Sequence, residues 1–403
     1  MYRSDACSDF RSGTRNTRSQ HPLSASLPAN ATGPGNLLLG VPFRRAHRLV
    51  PGLVLAAGGM VFSTWLAGCA GEWVLRAQGL APNGKNPVSA IMVVILVGMI
   101  AANTTRIPEL FAPGLKFVMT KILRLGIVLV GIKLSFIAVL QLGACGVPVV
   151  FCVIVGGFVF SIWFARRIGL SDRMGALAAA STSICGVTAA LAVAPVVDAE
   201  DREVTYTIAN VTIFGLLAMF LYPYLAHALF ADRPGAAGLF LGPSIHETGQ
   251  VVGAALHYKL IFQDDHAFQV ATITKLTRNL FLIGVVPLLG YLHARHRGTT
   301  GQRTSLAKLF PVFVLGFVAM AVLRSLGDLS FGEADRGWIS FHQGLGETCA
   351  TWALGTAMAG VGLSTRFGVF KALGWKPVLV GAAAALAVGT LGLGLAAMLP
   401  SRL

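Results

Sequence analysis

Residues 178–197 read A-A-A-S-T-S-I-C-G-V-T-A-A-L-A-V-A-P-V-V. The stretch is apolar enough for hydrocarbon, yet its middle is a run of small and hydroxyl residues followed by Gly186 and then Pro195. A helix interrupted in this way frees backbone groups that lipid cannot satisfy, so the interruption has to face a polar cavity inside a protein. A second stretch has the same character: L-G-P-S-I-H-E-T-G-Q-V-V-G-A-A, residues 241–255, with Gly242 and Pro243 as the break and a new helix expected near Ser244. Both contain Ser-Ile followed by a polarisable or ionisable side chain.

The surrounding chain is built for a bilayer. Of 403 residues, 55% are hydrophobic and 12% charged, against about 25% charged in soluble domains, and the mean hydropathy is +0.70. Apolar runs recur at about 50–70, 87–102, 114–137, 143–165, 173–197, 204–230, 236–256, 267–292, 306–323, 338–363 and 377–399. About 20 such residues are enough to cross hydrocarbon as a helix. The expected fold is therefore all-α and polytopic, with about eleven transmembrane helices, two of them broken. Residues 1–48, rich in Ser, Arg, Pro and Asn, read as a disordered basic tail, and 49–403 as the transmembrane domain. A transit peptide and an early start codon remain alternatives for that tail.

The net charge of +15 would point to nucleic acid in a soluble protein, but here the basic residues have a topological use. Threaded with the tail inside, the inside loops hold thirteen Lys and Arg against seven outside. The acidic loop Asp198–Glu203 then falls outside. This sets the N-terminus in the cytoplasm and the C-terminus in the periplasm of a bacterial inner membrane, and an even number of spans would break the alternation. One internal repeat is visible, L-G-I-V-L-V-G-I-K-L-S from Leu125 against L-G-T-A-M-A-G-V-G-L-S from Leu354. An odd offset in span number gives the two copies opposite directions, as in the inverted repeats of secondary transporters; chance likeness between Gly- and Leu-rich helices is the competing explanation.

Ionisable residues inside the spans are the sharpest chemical signal, because each is costly in hydrocarbon unless it meets a partner or water. Lys275 and Arg278, three apart in A-T-I-T-K-L-T-R-N-L-F-L, share one helix face in the most polar stretch of any span. His246 and Glu247 sit at the second break. Lys133 and Glu347 lie near predicted span ends, where long side chains reach the surface. His-Glu-x-x-His fails as a zinc motif, since the fifth position is Gln250. The six cysteines form no Cys-x-x-Cys pair, so neither a metal nor another cofactor is expected.

The candidate solute site is Ser181, Ser183, Cys185, Gly186, Ser244, His246, Lys275 and Arg278, with N–H groups of the broken helices and the two cations facing an anion. Glu247 or His246 is the candidate for ion coupling. Tight helix packing is the alternative for the serines, and a structural ion pair from Glu247 to Lys275 or Arg278 is the alternative for the charges.

The segments L-R-L-G-I-V-L-V-G-I-K-L-S from Leu123, S-I-C-G-V-T-A-A-L-A-V-A-P-V-V-D-A-E from Ser183, I-F-G-L-L-A-M-F-L-Y-P from Ile213, S-I-H-E-T-G-Q-V-V-G-A from Ser244, T-K-L-T-R from Thr274 and G-V-G-L-S-T from Gly360 resemble, in order, the YeiH-type family of bacterial inner-membrane proteins described as sulfate exporters. The resemblance runs from about Pro87 to the C-terminus. It implies an inverted-repeat core similar to antiporters and bile-acid symporters, and an anionic sulfur-containing solute. This chain has Val187, Thr188 and Ala194 where family members often carry Ala or Ser, Ala, and an acidic residue; the last departure argues against a mechanism relying on a carboxylate there.

The function expected is thus a secondary transporter, and an exporter, of sulfate or a related small anion, driven by protons or sodium. No phosphate-binding Gly-x-x-x-x-Gly-Lys-Ser/Thr loop occurs. The expected partners are the anion, the coupling ion and the lipid bilayer, without nucleic acid, and a homodimer is the assembly kept open. A membrane-embedded enzyme using His246 and Glu247, and an uncoupled channel or sensor, are the competing functions.

Overall fold

The computed structural model describes residues 43–77, 86, 88–297, 311–332, 335–366, 368 and 375–398. The chain divides at Ala46 into two units, and the account below concerns the second, from His47. Most of the predicted tail, residues 1–48, lies outside the described residues.

All regular structure among the described residues is helical. In chain order, α1 is Val50–Ala77 and α2 is Ala90–Thr104. The third, α3, covers residues 112–133, with a π-turn at Val118–Ile122 and a 3-10 turn at Gly131–Lys133. α4 is Phe136–Arg167. A short pair follows, α5 (Asp172–Ala180) and α6 (Val187–Val193), and then α7 (Asp201–Phe230). A second pair is α8 (Pro234–Ser244) and α9 (Thr248–Phe262). α10 (Asp265–Leu280) and α11 (Leu282–Arg297) run on almost without a break. The last four are α12 (Val312–Phe331), α13 (Arg336–Gln343), α14 (Ala350–Ser364) and α15 (Trp375–Met398). Among the described residues, six stretches are long and apolar enough to cross a membrane: α1, α4, α7, α10 with α11, α12 and α15. Large apolar side chains such as Trp65, Phe151, Leu221 and Leu386 stand on their exposed outer faces, where lipid takes the place of a core.

Small residues set the close approaches between helices, as bilayer packing requires. On α2 and α14, Gly98 faces Gly362 so closely that a Cβ on Gly98 would lie 2.8 Å from the Leu363 nitrogen.

Two of the eleven segments expected to cross do not. The start of α5 and the end of the segment it opens lie together: Ser171 donates to Glu203 at 2.5 Å, and Arg173 donates to Glu200 at 2.9 Å and to the Asp198 carbonyl at 3.1 Å. Residues 172–197 therefore enter, turn at Ser181–Gly186 and return to the same end. The second pair does likewise from the opposite end. α7 carries the chain across; its His227 stacks on Phe262 at the close of α9, with ring centroids 3.8 Å apart. At the start of that pair, a Cβ on Gly238 would lie 2.7 Å from the Ala267 carbonyl, in the first turn of the helix that follows α9. α8 and α9 thus leave from and return to the α10 end. From Gly235 to Ser244 every residue is buried, and so is every residue from Thr248 to Tyr258, as expected of helices apolar all round.

These two turns correct the loop assignment. The acidic loop Asp198–Glu203 shares an end with Arg166 and Arg173, and Arg233 shares the opposite end with Lys259 and Asp265. The second break also falls later than Gly242–Pro243: α8 persists through Ser244, and the extended residues are 245–247.

Candidate functional site

The two hairpin tips meet in the middle of the bundle. The first is a wide turn, Ser181–Cys185, closed by Gly186, whose φ of 52° and ψ of −121° suit only glycine. A Cβ there would lie 3.3 Å from that of Glu247 on the other tip. Cys185 Sγ is 3.4 Å from Thr248 Oγ1, and Asn279 Nδ2 donates to the same oxygen at 3.1 Å.

Lys275 and Arg278 of α10 hold the tips together. Lys275 Nζ donates to the carbonyls of Ile184, Ile245 and His246 at 3.1, 3.0 and 2.6 Å. Arg278 donates through Nε to Ser183 at 2.7 Å, through Nη1 to Ile245 at 3.3 Å and to Pro243, and through Nη2 to Thr182, in each case to the carbonyl. Both cations are fully buried. A helix ends with orphan carbonyls and a partial negative charge; here α5 and α8 end side by side, and the two cations satisfy those carbonyls. The electrostatics at Ser183–Ile184 and Ser244–His246 are thus the reverse of the expectation: these tips offer C=O acceptors to cations already present, rather than N–H donors to an anion.

Glu247 makes no ion pair with either cation among the described residues. It is the N-cap of α9 in a reciprocal capping box: its side chain accepts from the Gln250 backbone N–H, and its own N–H donates to Gln250 Oε1 at 3.3 Å. Gln250 Nε2 in turn donates to the Thr212 carbonyl of α7 at 3.1 Å. The alternative kept open for the charges, an ion pair from Glu247 to Lys275 or Arg278, gives way to these local contacts.

A cavity of about 560 Å³ opens beside the tips. Cys185 and Glu247 of the predicted residues line it, joined by Thr188, Thr248, Asn279 and Arg124. The other predicted residues turn away from it. The Ser183 and Ser244 hydroxyls face Gly157 of α4 and Gly392 of α15. Those two hydroxyls and that of Ser181 are buried without a hydrogen-bond partner among the described residues, and the His246 ring is buried beside them. Leu191 on the returning α6, Leu282 at the start of α11 and Phe313 at the start of α12 complete the walls. All three lie on the Arg173 side of the tips, because α6 and α11 run toward that end and α12 departs from it.

Arg124 is the cavity's cation, its guanidinium 5.6 Å from the Phe313 ring centre. The sequence held the signal, an arginine amid L-R-L-G-I-V-L-V, but not the cavity that makes it affordable. Asn279 and Thr248 were missed for the same reason. No group of three His, Cys, Asp or Glu residues is placed to hold a metal ion among the described residues.

Helices packed on small residues, lipid-facing apolar surfaces and backbone breaks buried at mid-depth define a multi-pass α-helical membrane protein. The sequence pattern of the family described as conserved hypothetical protein 698 matches residues 51–381. A UPF0324 membrane protein of Pseudomonas aeruginosa is 32% identical over 350 residues, covering 85% of this chain and 92% of its own. One of Corynebacterium glutamicum is 33% identical over 293 residues, 73% and 80% of the two chains. Another, the UPF0324 membrane protein TauZ of Paracoccus pantotrophus, is 34% identical over 294 residues, 71% and 81% of the two chains. The chain belongs to the UPF0324 family of membrane proteins, which is the YeiH-type family.

Proposed function

We propose that this protein is a secondary transporter that exports a small anion, sulfate or a related sulfur oxyanion, across a bacterial inner membrane, coupled to protons or sodium. The observation that carries the reading is the cavity that ends on two hairpin tips entering from opposite faces. Irregular backbone at that depth is tolerated where it lines a water-filled path, and solute sites of secondary transporters lie at such interruptions. Arg124 supplies the positive charge for the anion, and Glu247, the carboxylate in the wall, is the group placed to couple an ion.

The topology supports the same reading. α4 with the first hairpin and α7 with the second run in opposite directions, which is the relation of an inverted repeat. Leu125–Ser135 and Leu354–Ser364 lie on antiparallel neighbours, with Gly126 against Leu354. The eleven membrane segments then comprise the crossing helices plus two hairpins. Arg166, Arg167 and Arg173 put their end in the cytoplasm. The chemistry proposed is passage rather than turnover, so the protein is no enzyme.

The test is flux into proteoliposomes under an imposed pH or sodium gradient, beside thermal stabilisation by sulfate, sulfite and small sulfonates. Gradient-dependent flux and a stabilisation lost in Arg124→Gln are expected. Flux that ignores both gradients would sink the coupling, and stabilisation that survives Arg124→Gln would sink the site.

A further inference from the structure

The cavity lies on the Arg173 side of the tips, and the second hairpin fills the Lys133 side. The Lys133 side ends in a ring of charge. Lys133, at the close of α3, lies 2.7 Å from Asp265 and 3.2 Å from Glu347. Lys259 of α9 lies 2.8 Å from Asp265 and 3.8 Å from Glu347. Glu347 sits in the π-turn Gly344–Cys349 just before α14, and the Lys133 stem packs on Gly346 of that turn.

The four contacts divide by what they join. Lys133 with Glu347 lies within the α3–α14 pair, and Lys259 with Asp265 lies within the second hairpin and the helix it leads into. Lys133 with Asp265 and Lys259 with Glu347 cross between the two bodies. If the bodies part, each ammonium keeps a carboxylate of its own. Stripping a buried charge of its only partner is strongly unfavourable, and this ring opens without doing so. Its carboxylates are also partly solvated, with side-chain exposures of 37% for Asp265 and 56% for Glu347, which keeps the crossing contacts weak enough to break. A purely structural tie needs neither property.

We propose that the Lys133–Lys259–Asp265–Glu347 ring is the latch that closes the solute cavity on the Lys133 side, and that it opens when the second hairpin moves away from α3 and α14. The proposal rests on the reading of the cavity as the solute path. Cys185 in the cavity wall is a native reporter of access that does not depend on knowing the solute.

The experiment leaves Cys185 as the sole cysteine, with Cys7, Cys69, Cys145, Cys152 and Cys349 replaced by serine. A charged, membrane-impermeant thiol reagent is then applied to right-side-out and inside-out vesicles. Labelling from the Arg173 side and slow labelling from the Lys133 side are expected. Asp265→Asn and Lys133→Met each raise the Lys133-side rate by about two- to fivefold, the population shift available from partly exposed ion pairs. The charge swap Lys133→Asp with Asp265→Lys brings the rate back down. Unchanged Lys133-side labelling in variants whose Arg173-side labelling is intact overturns the latch and leaves the transport reading standing. Equal labelling from both sides of the unmutated latch, or labelling from neither, overturns the latch and the open cavity together. Loss of anion flux with the labelling pattern as expected counts against the transport reading alone.

Discussion

At the hairpin tips, two buried cations are held by backbone carbonyls; at the Lys133 end, two cations are held by carboxylates. The tip cations use helix ends, whose carbonyls are fixed by the backbone and cannot follow a moving side chain. The end cations use flexible carboxylates that can exchange partners. The difference teaches that a charge in a membrane span has no single meaning. Lys275 and Arg278 make a rigid junction out of two helix ends, and Lys133 and Lys259 make a junction that can part. Arg124 differs from all four: it stands over the Phe313 ring in the wall of a cavity, and on the proposed function its charge is offered to the solute.

That contrast can be broken most directly at the tips. Arg278→Ala leaves the Thr182, Ser183 and Pro243 carbonyls without their donor and is expected to cost about 3–5 kcal/mol, read as loss of monodisperse protein and a large fall in Tm in detergent. Arg278→Lys recovers only part of this, since one ammonium cannot reproduce the guanidinium fork. A variant as stable as the parent would mean that the tips hold themselves.

Gly186→Ala comes next. Its φ of 52° and the Glu247 contact together predict a loss of about 1–3 kcal/mol, seen as a lower Tm without loss of expression. Lys133→Met is smaller, about 1 kcal/mol or less, and should shrink further as salt is raised in the thermal assay. If it matched Arg278→Ala, the distinction between rigid and exchangeable junctions would fall. Arg124→Gln is the smallest for stability, within about 0.5 kcal/mol, yet it is expected to abolish stabilisation by sulfur oxyanions. A large drop in Tm for Arg124→Gln would instead make Arg124 a structural cation like Arg278.

Much of this was legible in the chain. The small and hydroxyl run at Ser181–Cys185 marked a break that lipid could not tolerate, and Ser244–Glu247 marked its counterpart. The polar face of Lys275 and Arg278 pointed inward, as it had to. Hydropathy, however, measures how long an apolar run is and not whether it continues or turns back, so residues 173–197 and 236–256 read as crossings. Lys133 was taken for a surface lysine because Asp265 lies 132 residues away in the chain and Glu347 further still. Arg124 passed unnoticed because a cation in an apolar run signals a cavity only once the facing helices are known.

By itself, then, the sequence determined the solvent and the materials: apolar runs of bilayer length, breaks rich in small residues, and buried charges that had to find partners. These follow from local composition, which hydrocarbon screens one segment at a time. The tertiary structure alone decided what those charges meet. Whether a buried cation faces a carbonyl, a carboxylate or an open cavity depends on which helix ends converge. Convergence is set by packing between segments far apart in the chain, and no local pattern records it.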